Sequence, residues 1–156
     1  MKGFQIRVRR TRRGDFEIKL PPEERAILKA LPNQLRELLS SDDPSLERLF
    51  PPAYPEEPDL QAEYEQLVGG DLRRQRLGSV EVMERTIEAK RVSEEELLAW
   101  LSALNDMRLI LGTKLDMTEE MDAEDIPDDD PLVSSYALYY YLGWLEEQVV
   151  DALQSG

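Results

Sequence analysis

The 156-residue chain contains no cysteine and no histidine. Their absence excludes disulfides, thiolate chemistry, Cys/His zinc sites, imidazole general bases and the Glu-x-x-His pattern of di-iron proteins. Long apolar runs are also missing: none approaches the roughly 18 residues that a membrane span requires. Residues 4–20 alternate apolar side chains with arginine and have no apolar segment of the signal-peptide type. Glycine-rich phosphate loops and G-x-S-x-G elbows do not occur. These gaps predict a cytosolic, non-catalytic chain with no membrane contact and no cofactor. They leave carboxylate, hydroxyl, lysine or tyrosine chemistry as the routes to catalysis.

Charge is abundant and uneven. The chain carries 19 Lys and Arg against 33 Asp and Glu, for a formal net charge of -14. Residues 1–20 hold seven bases and two acids, or +5, which leaves -19 for the other 136 residues. At physiological ionic strength the Debye length is about 8 Å, so a basic lobe and an acidic body act as nearly separate electrostatic objects.

The pattern predicts a mainly helical bundle of four to five helices with an N-terminal β-hairpin, in one domain. In residues 1–20, Phe4, Ile6 and Val8 alternate with polar residues, as do Phe16, Ile18 and Leu20. A register with Phe4 opposite Leu20 and Val8 opposite Phe16 pairs Arg7 with Glu17 and Arg9 with Asp15. The loop is then Arg10–Gly14, with Gly14 free to take positive φ. Residues 21–49 read as helices, started by Pro21-Pro22-Glu23-Glu24, with Ile27, Leu31, Leu35 and Leu38 as the buried stripe and Pro32 as a kink or split. Residues 50–58 form a proline-rich linker. Residues 59–116 read as long helices, with Gly69-Gly70 as a candidate break and Ser93-x-x-Glu96 as a capping box. Residues 117–130 form an acidic loop, and 131–154 a C-terminal helix with the stripe Leu138, Leu142, Leu145 and Val149.

Six constellations are weighed for function. Arg10, Arg12 and Arg13 sit at the hairpin tip without partners in the expected register, which suits contact with DNA phosphates or an acidic protein partner. The alternative is a solvated loop, or arginines folded back onto the chain's own acids. Arg73, Arg74 and Arg76 read as a solvated helix face. Arg108 falls in the apolar row of its helix and needs a partner if buried, which marks it as a structural charge. Tyr136, Tyr139, Tyr140 and Trp144 cannot all face one core stripe, which suggests a partner or homodimer interface. Glu81, Glu84 and Glu88 share a helix face, a spacing that magnesium-dependent helical nucleotide hydrolases use. The run of eight acids from Glu119 to Asp130 lacks the ligand alternation and central glycine of a calcium loop, and could fold over the arginine tip to mask it.

The runs R-L-F-P-P-A-Y (48–54) and L-N-D-M-R-L-I-L-G-T-K-L-D (104–116), with the later Y-x-x-Y-x-x-L-G-x-L (136–145), resemble an actinobacterial family catalogued as a domain of unknown function. Its members include the actinomycete oxidative-stress transcriptional regulator. The resemblance implies a regulator acting through DNA or the transcription machinery. The family's gene neighbourhoods, near a Clp protease adaptor and cysteine-biosynthesis genes, imply the alternative of an interaction module linked to regulated proteolysis. The absence of cysteine rules out thiol sensing within these residues. Oxidation of Met83, Met107, Met117 or Met121 is the sulfur chemistry that remains.

Overall fold

The computed structural model describes residues 6–117 and 126–155. Its elements are β1 (Val8–Arg10), β2 (Phe16–Ile18), α1 (Pro22–Leu39), a 3-10 turn (Pro44–Arg48), α2 (Pro58–Tyr64), a π-helical turn (Glu65–Gly69), α3 (Gly70–Thr86), β3 (Arg91–Val92), α4 (Glu94–Lys114) and α5 (Val133–Gln154). The protein is mainly helical with an antiparallel sheet near its N-terminus, as the sequence predicts. The Phe4 end of the expected hairpin and residues 119–125 of the acidic run lie outside the described residues. So does the expected masking of the arginine tip by that run.

The hairpin forms in a different register from the expected one. Val8 pairs with Ile18, Arg9 with Glu17 and Arg10 with Phe16, a shift of two residues. The turn sets this register. Thr11 N–H donates to the Asp15 carbonyl at 2.9 Å, Gly14 N–H donates to the Thr11 carbonyl at 3.1 Å, and Gly14 takes φ 90°. The Thr11 hydroxyl donates to the Asp15 carboxylate, so Asp15 caps the turn instead of facing Arg9. A shift of two preserves parity, so Val8, Phe16, Ile18 and Leu20 still face the core. A third strand, which the sequence reading did not anticipate, completes the sheet: β3 pairs antiparallel with β2, with Phe16 opposite Val92.

Pro32 does not split α1. The helix runs unbroken for 18 residues with Pro32 buried inside it. Its core face is Leu28, Leu31, Leu35 and Leu39, while Ile27 is 46% exposed, so the expected stripe is corrected by one position at each end. Gly69-Gly70 does not break the second helical stretch either. Both residues keep right-handed helical φ and ψ, and the extra residue is taken up as the π-helical turn between α2 and α3. The Ser93 capping box forms as expected: Ser93 Oγ accepts from Glu96 N–H at 3.1 Å, and Glu96 Oε1 accepts from Ser93 N–H at 2.8 Å.

α4 packs against α3 on one side and α5 on the other, and the core runs along these contacts. Trp100, 1% exposed, is among its largest buried side chains. The indole N–H donates to Thr86 Oγ1 at 2.7 Å, and that hydroxyl donates to the Val82 carbonyl at 2.8 Å, so no indole polarity is left unpaired. Met83, Met107 and Met117 are buried in the fold, which places their sulfurs away from soluble oxidants.

Gly112 of α4 allows a close helix approach. A Cβ there would lie 3.0 Å from Tyr139 Cε1 on α5 and 3.3 Å from Arg48 Nη1. Alanine gains roughly 1 kcal/mol of helix propensity, but overpacking costs roughly 1–3 kcal/mol. We therefore expect Gly112→Ala to destabilise the protein by about 1 kcal/mol net, read as a lower urea midpoint with an unchanged slope.

Candidate functional site

The arginine finger is largely bound to the protein itself. Arg7 is 8% exposed and lies against α1 and α5. Its Nε and Nη2 donate to both oxygens of Glu24 at 3.0 and 2.7 Å, and its guanidinium stacks 5.1 Å from the centroid of Trp144. Its backbone N–H donates to Gln148 Oε1 at 3.0 Å. Glu24 Oε1 also accepts from the Tyr141 hydroxyl at 2.7 Å. Burial works to raise the Glu24 pKa, but the hydrogen bonds from Arg7 and Tyr141 and the charge of Arg7 outweigh it and hold the carboxyl below its usual range. Burial, with Glu24 accepting from the hydroxyl, pushes Tyr141 up. The four side chains Arg7, Glu24, Tyr141 and Trp144 thus tie β1, α1 and α5 together.

Arg9 meets Glu17 at 3.2 Å, so the expected pairing of Arg7 with Glu17 and Arg9 with Asp15 is replaced by Arg7 with Glu24 and Arg9 with Glu17. Arg10 is corrected as well: it is not an unpartnered tip residue. It sits on the Phe16 ring at 4.7 Å, donates through Nη2 to the Leu153 carbonyl at 2.9 Å and lies 3.7 Å from Glu94. Arg12 and Arg13 are exposed. Among the described residues, these two alone in the finger keep side chains without an internal contact.

The second basic cluster is divided: Arg73 and Arg76 turn inward, while Arg74 stays on the solvated face. Arg73 donates to the Leu39 and Ser41 carbonyls and stacks on Phe50 at 4.9 Å. Arg74 pairs with Asp71. Arg76 Nη1 donates to Asp106 Oδ1 at 2.9 Å. Asp106 is fully buried and its Oδ2 has no hydrogen-bond partner. Burial pushes its pKa up to about 6, against the pull of Arg76 and with the help of the neighbouring Glu146 charge. The sequence reading passed over Asp106. Its signal was an acid two residues after Leu104 and four before Ile110, on a face that is otherwise apolar.

Two carboxylates of the expected row, Glu84 on α3 and Glu88 just past its end, are taken up by ion pairs. Glu84 pairs with Arg36 at 2.7 Å and Glu88 with Lys29 at 2.8 Å, both across to α1. Among the described residues, no group of three acids is placed to hold a metal ion.

The aromatic row of α5 opens a groove of about 570 Å³. Tyr139, Tyr140 and Trp144 line it with Gly143 and Val150. Tyr139 and Tyr140 meet edge to face at 5.4 Å. Arg108 forms one wall, half-buried rather than enclosed in the core: Nε donates to Glu146 Oε1 at 2.9 Å and Nη2 to Asn105 Oδ1 at 3.1 Å, and the guanidinium lies 6.0 Å from the Tyr139 ring centroid. Burial raises the Glu146 pKa in spite of Arg108. Glu147 and Asp151 form the opposite rim, exposed and without a side-chain partner among the described residues. Tyr136 is half-buried one turn earlier and does not line the groove. Three of the four aromatic residues chosen from the sequence are therefore brought together, along with Arg108. Tyr141, the omitted member of the row, belongs to the Arg7 cluster.

The fold and these surfaces define a helical protein built around α4, with a sheet pinned by ion pairs and an open aromatic groove. The chain belongs to the family described as Domain of unknown function (DUF2017), whose model matches residues 1–153. It is similar to the oxidative stress regulator AosR of Mycobacterium tuberculosis and of Mycobacterium bovis, each 32% identical over 130 residues, 71% of this chain and 58% of the relative. A Mycobacterium leprae relative is 30% identical over 132 residues, 73% of this chain and 60% of the relative. The chain thus spans about six-tenths of the length of these curated relatives. No solved structure matches it. None of its described helices is long and apolar enough to cross a membrane. The names of the relatives support a regulator-like role.

Proposed function

We propose that the protein is a non-catalytic regulator that acts by docking on a protein of the transcription machinery through the α5 groove, and not by gripping DNA with its arginine finger. The observation that carries this reading is the internal use of the finger. Arg7 and Arg10 are held by Glu24, Glu94 and the Leu153 carbonyl, and the exposed Arg9 is paired with Glu17, so among the described residues two guanidiniums of the finger remain without an internal partner, in a chain of net charge -14. Two contacts supply too little counterion release to hold duplex DNA against that repulsion. The aromatic groove, in contrast, has the composition of a protein-binding patch. With no thiol in these residues, the signal reaches the protein through its partner rather than through cysteine oxidation.

A DNA titration tests the reading. Wild type and the Arg12→Ser/Arg13→Ser variant are expected to show the same weak or absent binding at 150 mM salt. A strong wild-type interaction with a log–log salt slope of about -2, lost in the variant, would return the function to the hairpin tip.

A further inference from the structure

We infer that the helical arm of residues 58–69 is covered by a second copy of this chain, with the arginine finger of each copy laid against the arm of the other in an antiparallel, two-fold pair. The pairing goes beyond the docking reading above and uses no residue that lines the α5 groove.

The arm consists of α2 and the π-helical turn after it, and neither contains a buried residue. α2 packs chiefly on that turn. Leu60 is exposed, and Leu67, at 79%, is the most exposed large apolar side chain among the described residues. A helix this short is marginal in water unless it buries an apolar face, and Gly69-Gly70 lowers its propensity further. Glu56, Glu57, Asp59, Glu63 and Glu65 surround the two leucines in sequence, all exposed, and residues 51–72 contain no base. Among the described residues none of these five acids meets a cation.

The finger has the complementary character. Arg12 and Arg13 at its tip have no internal contact among the described residues, Arg9 and Lys19 are exposed behind them, and Ile6 at its base is an exposed apolar residue. The two surfaces cannot meet within one molecule. Arg7 holds the finger to Glu24 at the start of α1. The arm continues through Gly70 into Arg73, which donates to the Leu39 carbonyl at the end of α1. An 18-residue helix spans roughly 27 Å, far beyond the reach of an arginine side chain. α3 separates the surfaces again: its start continues the arm, and β3, which joins the sheet, follows its end.

Opposite charges at opposite ends of one body complement each other in an antiparallel pair. Both finger–arm contacts then close at once, and the interface is isologous. A head-to-tail arrangement makes one such contact and leaves a finger and an arm open. The net charge of -14 on each copy acts against association at long range, but screening over about 8 Å leaves the local contacts to decide. Nucleic acid and anionic lipid are repelled by the acids of the arm.

Sedimentation equilibrium of the full chain tests the pairing. At about 100 mM NaCl the weight-average mass is expected to rise with concentration from the 18.0 kDa of one chain toward twice that value and no further. At about 500 mM NaCl, where the Debye length is less than half as long, the dissociation constant is expected to rise about tenfold. Arg12→Glu/Arg13→Glu and Glu63→Lys/Glu65→Lys, all at exposed positions, are each expected to stay monomeric with the circular dichroism of the wild type. An equimolar mixture of the two variants is expected to dimerise, because each finger then faces an arm of opposite sign. One chain carrying all four substitutions is expected to dimerise as well. Leu67→Ser is expected to weaken the dimer several-fold at both salt concentrations. A wild type that is monomeric throughout would overturn the inference, as would a dimer indifferent to both charge reversals, which would place the contact on another surface. A mixture that stays monomeric, or growth beyond two copies, would overturn the two-fold pairing.

Discussion

Glu24→Ala is expected to lower the unfolding free energy by about 3 kcal/mol, the scale set by removing one partner of a largely desolvated ion pair. The Arg7 and Glu24 side chains are 10% and 19% exposed, and the pair is bidentate. Without the carboxylate, the guanidinium against Trp144 loses its bidentate acceptor, and the Tyr141 hydroxyl loses its acceptor as well. Replacing both charged residues, as Arg7→Met/Glu24→Met, is expected to recover most of the loss, because the desolvation penalty then disappears from both sides. Urea unfolding of the three proteins gives the comparison. A double variant as unstable as Glu24→Ala would show that packing, not charge, dominates the cluster. The sign of the pH dependence follows from the same contacts. The folded-state pKa of Glu24 lies below its ordinary value near 4.5, so its contribution is complete above that pH and is lost as pH falls through the folded value.

Asp106 is expected to have the opposite sign. Its folded-state pKa, about 6, lies above its ordinary value of 3.8. The folded protein therefore binds the proton more tightly than the unfolded chain, and the contribution of this residue to stability falls as pH rises from about 4 to about 6. By linkage, that window spans roughly 2–3 kcal/mol. Asp106→Asn removes the titration. The stability difference between variant and wild type should shift by that amount in favour of the variant between pH 4 and pH 7. Chemical unfolding at four pH values measures it, and parallel curves for the two proteins would mean that Asp106 does not titrate in this range. Glu146, also raised by burial, acts in the same direction, so the difference between the two proteins, and not the wild-type profile alone, reads Asp106 together with its coupling to Glu146.

Both residues show where sequence reasoning reaches its limit. Helix starts were legible because their causes are local: Pro22 at the first turn of α1 and the Ser93 box opening α4. Strand faces were legible because alternation survives a shift of two residues. The register was not, because it was inferred from charge pairing, while the Thr11–Asp15 turn governs it. The two-residue β3 was too short to leave a pattern. Alternation itself broke at the start of the hairpin, where Ile6 is 59% exposed and Arg7 is buried. The bidentate contact with Glu24, 17 residues away, and the stack on Trp144 turn Arg7 inward. Distant partners of this kind also decided the candidate site. Arg10 finds Leu153 and Arg76 finds Asp106, and neither pairing has a local signature. The aromatic row of α5 was legible because its crowding around one helix forces some members outward.

Binding of purified RNA polymerase to three proteins side by side tests the central claim, that the α5 groove and not the arginine finger carries the interaction. The account predicts that wild type and Arg12→Ser/Arg13→Ser bind alike, while Glu147→Gln/Asp151→Asn binds at least about tenfold more weakly, a loss of about 1.4 kcal/mol. Full binding by the groove variant together with loss in the finger variant would contradict it.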